Sequence, residues 1–115
     1  MGPRPGQGEV LCNLSDLDDP GARGFVFGGE GARFSGFIVR RGGVVRGYVD
    51  ACPHVGAPLA LARDSFLTRE GDLIICATHG ALFRPQDGLC VAGPCVNRAL
   101  QPWPVQVRDG KVWTA

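Results

Sequence analysis

The chain has 115 residues, twelve of them Lys or Arg and eleven Asp or Glu, for a formal charge of +1. That length fits one domain with a real core, the even charge balance argues against a bulk-charge grip on nucleic acid, and no stretch approaches the ~20 consecutive apolar residues of a membrane span. The segment Met1–Gly8 has a positive charge but no apolar run behind it, unlike a secretory signal. An odd number of cysteines, five, suits a reducing compartment better than a disulfide framework. The expected location is therefore the cytoplasm, with no membrane attachment.

Residues 1–8 read as a flexible lead-in to a single domain covering 1–115. Glu9 to Cys12 is a short strand candidate, and Asn13 to Arg23 a polar loop with room for a helical turn. Phe25-Val26-Phe27 reads as a strand ended by Gly28-Gly29. Arg33 to Arg40 suits a strand through Phe34, Phe37, Ile38 and Val39. Arg41-Gly42-Gly43 is a strong hairpin signal, with Val44 to Val49 returning from it. Leu73-Ile74-Ile75, Ala81-Leu82-Phe83 and Leu89-Cys90-Val91 follow, then Val105 to Val107 and Lys111 to Trp113 joined at Arg108-Asp109-Gly110. The one stretch with helical character is Ala57 to Arg63, rich in Ala and Leu. Eighteen glycines and nine prolines, scattered between the apolar runs, punctuate turns and form no internal repeat. Many short strands at this spacing predict an all-β sandwich or small barrel.

The chemistry concentrates in two short segments. The chain has two histidines; His54 stands two residues after Cys52, and His79 three after Cys76. Each segment follows an expected strand and contains a glycine just past the histidine, as two facing metal-binding loops would need. Two thiolates and two imidazoles can bind one zinc ion tetrahedrally, or a [2Fe–2S] cluster with both cysteines on one iron and both histidines on the other. Structural zinc sites usually group cysteines in one knuckle and histidines in another. Here each segment supplies one of each.

Cys-x-His, twenty-one intervening residues and then Cys-x-x-His-Gly resembles the signature of the Rieske family. Gly88 followed by Val91-Ala92-Gly93-Pro94 is similar to that family's proline loop, which caps the cluster. The resemblance runs from about Tyr48 to Pro104. It implies an antiparallel β-sandwich base with a small cluster-binding subdomain at about 50–95, and one [2Fe–2S] cluster held by Cys52, His54, Cys76 and His79. Cys52 and Cys76 would hold the buried iron, His54 and His79 the outer one. Two thiolates cancel the charge of the oxidised Fe₂S₂ core, whereas four would leave it doubly negative. Adding an electron is then easier, which raises the potential into the range of about −150 to +300 mV.

High-potential relatives resemble one another in a Ser and a Tyr after the His-Gly pair, whose hydroxyls bond a cluster sulfur and a ligand cysteine. This chain has Ala81 and Phe83 there, and lacks the cysteines that would link the two ligand loops by a disulfide. The resemblance thus implies a low-potential, ferredoxin-like carrier. It would pass single electrons between a reductase and a terminal oxidoreductase such as an oxygenase, without catalysis of its own. A mononuclear catalytic iron needs two more histidines than the cluster leaves. A zinc-binding interaction module and an accessory redox-sensing subunit are the alternatives.

For Cys90 and Cys95, which bracket Val91 to Pro94, three readings stay open: two small buried residues, a redox-responsive pair, or a second metal site. Cys12 reads as core. Phe25, Phe27, Phe34, Phe37, Trp103 and Trp113 read as core or sheet packing, with the cluster-domain junction as the alternative for Trp103. Arg40, Arg41 and Arg46 read as a solvated hairpin face. Pro53, Val55, Ala57, Pro58 and Leu59 form an expected apolar rim for docking redox partners.

Overall fold

The computed structural model describes residues 5–29, 32–53, 56–60 and 64–115, and its regular structure is almost entirely extended. In chain order the strands are β1 (Val10–Asn13), β2 (Gly21–Gly29), β3 (Ala32–Arg41), β4 (Val44–Val49), β5 (Ile74–Ile75), β6 (Leu82–Phe83), β7 (Cys90–Ala92), β8 (Val105–Arg108) and β9 (Lys111–Thr114). A 3-10 turn, Leu14–Asp16, follows β1. All pairings are antiparallel, in three sheets ordered β1-β9-β8, β2-β3-β4 and β5-β6-β7. The fold class is therefore all-β, as the spacing of apolar runs and turns predicts.

β3 explains how the sheets stack. Successive side chains of a strand point to opposite faces, and β3 is buried on both. Phe34 and Ile38 enter a core with Cys12 of β1, Val112 of β9 and Trp103, which precedes β8. Phe37 and Val39 enter a second core with Ile74, Phe83 and Leu100, from the sheet of β5 to β7. A middle strand buried on both faces reads as a near-continuous apolar run, which is why Phe37-Ile38-Val39 lacks polar alternation. Trp103 packs edge-on to Phe34 at 5.1 Å between ring centres, and to Phe27 at 6.1 Å. It belongs to the base, so the junction alternative falls. A Cβ on Gly36 would sit 2.5 Å from that indole, so only glycine lets the ring lie across β3.

Three expectations change. β2 begins at Gly21, four residues before Phe25, because every residue to Gly29 finds a partner on β3. Ladder hydrogen bonds along so long a neighbour override the poor strand propensity of Gly21 and Gly24. No helix forms over residues 57–60, while 61–63 lie outside the described residues. Arg40 is not a solvated hairpin residue: it is half-buried, and its Nη1 donates to the carbonyls of Leu14 at 3.2 Å and Leu17 at 3.0 Å. It clamps the 3-10 turn to the middle sheet, while Arg41 and Arg46 remain exposed.

Candidate metal centre

Cys52 and Cys76 open turns of one form. The Cys52 amide donates to the Ala57 carbonyl at 2.8 Å, and the Gly56 amide returns to the Cys52 carbonyl at 2.7 Å. In the second turn the Cys76 amide donates to Ala81, and the Gly80 amide to Cys76, both at 2.9 Å. Gly56 and Gly80 close them at φ +76° and +73°, a conformation that costs a side chain dearly and glycine little. The first turn leaves β4 and the second connects β5 to β6, so regular structure anchors each root.

The two turns are also joined. The Ala77 amide donates to the Leu59 carbonyl at 2.8 Å, and the Leu59 amide donates to Oδ1 of Asp50 at 2.8 Å. Burial pushes the Asp50 carboxyl above its ordinary range, with the Leu59 hydrogen bond acting against that shift. Leu59 itself is fully buried rather than part of an apolar rim, because its side chain fills the core between the turns. Pro58 is exposed, whereas Pro53 and Ala57 are half-buried.

The sulfurs and the histidine are disposed differently. Cys52 and Cys76 are 2% and 1% exposed, whereas His79 and its neighbours Thr78 and Gly80 lie at the surface. His54 and Val55 lie outside the described residues. Among the described residues no three potential ligands converge on one ion.

A third segment lies over the second turn. A Cβ on Gly93, at φ +95°, would meet the Ala81 Cα at 2.8 Å, so the Gly93-Pro94 backbone is packed directly onto the Cys76 turn. Nη1 of Arg98 donates to the Pro53 carbonyl at 3.2 Å, tying this segment to the Cys52 turn as well. Its own cysteines are buried, and the Cys95 thiol donates to the sulfur of Cys90 at 3.1 Å. Cys95 also interacts with Cys52; burial, together with Cys90 and Cys52, pushes its thiol up to about 12.

A family model for the Rieske [2Fe–2S] domain matches residues 8–107. The chain belongs to the Rieske [2Fe–2S] domain family. Its cofactor is accordingly a Rieske-type [2Fe–2S] cluster, and the zinc alternative falls. A search of curated proteins gave no match. Among solved structures the chain is similar to one from a complex of reduced oxygenase and oxidised ferredoxin in carbazole 1,9a-dioxygenase. The two are 27% identical with a TM-score of 0.70, over 92% of this chain and 90% of that one. It resembles the ferredoxin of carbazole 1,9a-dioxygenase from Nocardioides aromaticivorans IC177 at 23% identity and a TM-score of 0.71, over 96% and 98% of the two chains. Similarity to the Sphingomonas yanoikuyae B1 ferredoxin is 24%, with a TM-score of 0.66, over 93% and 96%.

The Rieske donor set suits this structure, with buried thiols at the roots of two matched turns and one imidazole, His79, at the surface. Ala81 and Phe83 are fully buried and have no hydroxyl to offer a sulfur. The base contains a surface cleft of about 470 Å³ lined by Asp19, Val39, Arg41, Val44, Arg46 and Pro85, with no cysteine or histidine among its walls. Residue patterns alone missed a third turn of the same form. Arg84 donates to Leu89 at 2.9 Å and Gly88 to Arg84 at 2.7 Å, with Gly88 at φ +73°. The shared signal is a glycine four residues after the opening residue in all three, at 56, 80 and 88.

Proposed function

We infer that this chain is a one-electron carrier whose [2Fe–2S] cluster is held by Cys52, His54, Cys76 and His79, and that it moves electrons from a reductase to a terminal oxidoreductase such as an oxygenase. The observation that carries this reading is the matched pair of turns opened by Cys52 and Cys76, joined through Ala77 and Leu59. Such a pair presents two thiols from below at fixed separation, while His79 stands at the surface. When bound, the cluster supplies a single reversible electron site. The residues hold that site: the turns fix the thiols, the core beneath keeps water from them, and the exposed histidine edge lies within reach of a partner.

Likeness over nearly the full length to a ferredoxin of carbazole 1,9a-dioxygenase, and to a chain from a complex of oxygenase and ferredoxin in carbazole 1,9a-dioxygenase, supports the oxygenase as electron acceptor. The partner surface is apolar: Pro58 on the first turn, and Val91, Pro94 and Val96 on the capping segment, are exposed. Short-lived electron-transfer contacts are small, and a rim of this kind suits them. The reading includes one domain over 1–115, with the cluster-binding part at about 50–95. Five free cysteines favour a reducing compartment, the cytoplasm. Among the described residues no helix is long and apolar enough to cross a membrane. Missing hydroxyls at Ala81 and Phe83 favour a potential in the lower part of the Rieske range.

Ligand variants test the assignment. Cys76→Ser and His79→Ala, purified without oxygen, are expected to lose the wild-type content of two irons and two sulfides per chain and the ability to accept one electron. A variant that keeps both removes that residue from the ligand set.

A further inference from the structure

Cys90 and Cys95 stand at the two ends of the capping segment, and their sulfurs are 3.1 Å apart. The backbone closes around them: Cys90 donates to the Arg98 carbonyl at 2.8 Å, and Arg98 donates back to Cys95 at 2.9 Å. Both side chains point beneath this turn, 1% and 2% exposed, while Gly93, Pro94, Val96 and Asn97 form its outer surface. Only one layer of chain thus separates the pair from solvent. Closing an S–S bond of about 2.05 Å requires the sulfurs to approach by only about 1 Å.

We propose that Cys90 and Cys95 form a reversible dithiol–disulfide pair beneath the capping segment, closed by a hydroperoxide and reopened by a dithiol reductant. In closing, one thiol sulfur attacks the peroxide, the O–O bond breaks, an alcohol or water leaves, and a sulfenic acid forms. The second thiol displaces water from it. Two thiols and one hydroperoxide give one disulfide, one alcohol (water, from hydrogen peroxide) and one water. Both electrons come from the cysteines and none from the cluster. Two exchange steps with an external dithiol return the pair to thiols and leave that dithiol oxidised. Transient pairs of this kind are the form disulfides usually take in reducing compartments.

The test uses the loaded full-length protein and one equivalent of hydrogen peroxide per chain, followed by alkylation and non-reducing peptide mapping. The expected product links Cys90 to Cys95, leaves Cys12 alkylatable, reopens with dithiothreitol and retains the visible spectrum of the cluster. In Cys90→Ser the same treatment gives no link at Cys95. Bleaching before any link forms, a link through Cys52, or oxidation to sulfinic acid without a link overturns the pair. Failure of Cys52 as a ligand is distinguishable, since the cluster would then survive Cys52→Ser.

Discussion

The peptide of Leu59 is held at both ends: its carbonyl accepts from Ala77 and its amide donates to Asp50. One residue thus bridges the Cys52 turn, the Cys76 turn and the end of β4. A carrier gains from such rigidity, because loops that relaxed on each change of oxidation state would slow the electron.

Asp50→Ala is expected to leave the partly buried Leu59 amide without its acceptor. Loss of a hydrogen bond to a charged group costs about 1.5–3 kcal/mol, and urea denaturation should register it as a lower midpoint at unchanged slope. Asp50→Asn keeps an acceptor oxygen and should recover most of the loss. Equal destabilisation by both variants would show that the Leu59 bond contributes little.

Gly93→Ala probes the packing of the capping segment on the Cys76 turn. Its φ of +95° and the Ala81 Cα 2.8 Å from the new methyl group oppose the substitution together. A strained backbone position of this kind costs about 1–3 kcal/mol. Faster bleaching of the cluster in air should accompany the loss, because the segment must lift from Ala81. A variant as stable and as slow to bleach as wild type would separate the segment from protection of the site.

Tyr48 supplies a pH dependence. Its hydroxyl donates to the Pro85 carbonyl at 2.5 Å, inside the core, and burial, the largest cause, pushes its ionisation up to about 12 from 10.0. The folded protein then holds this proton more tightly than the unfolded chain. The associated stability is complete below about pH 10 and is lost as pH rises through the folded value. Tyr48→Phe is expected to be less stable at neutral pH by about 1–3 kcal/mol, from the unpaired Pro85 carbonyl. Its stability should also fall less steeply above pH 10. Parallel curves for the two proteins across that range would contradict the assignment.

Ala81 and Phe83 determine the expected potential. Hydroxyls introduced by Ala81→Ser and Phe83→Tyr would enter a fully buried region beside the Cys76 turn. One hydrogen bond to a charged group, about 1.5–3 kcal/mol, corresponds to a one-electron rise of about 65–130 mV. Protein-film voltammetry should show the wild type in the lower part of the Rieske range and the double variant above it. A wild-type potential well above zero would remove the low-potential reading.

Much of this was legible in the residues, for identifiable reasons. Strand pairs closed by tight turns, Arg41-Gly42-Gly43 and Arg108-Asp109-Gly110, are local and were readable. The burial of Cys52 and Cys76 was implied only by the family resemblance, which places both at the buried iron. What depends on distant partners was not readable. Arg40 looks like its exposed neighbour Arg41 until the carbonyls of Leu14 and Leu17, more than twenty residues away, arrive to meet it. Leu59 beside Pro58 reads as surface until the second turn closes over it. The three matched turns share only one glycine position, too little for a repeat to show in composition. The proximity of Cys95 to Cys52 could be anticipated from the proline-loop resemblance, but the contact itself depends on tertiary packing.

The most direct test of the central claim is pulsed EPR of the dithionite-reduced protein, with iron, sulfide and zinc measured on the same sample. The account predicts two irons and two sulfides per chain, a red-brown protein that bleaches on reduction, and hyperfine coupling to two histidine nitrogens. A colourless, EPR-silent protein with one zinc per chain, or a cluster with no nitrogen coupling, would contradict it.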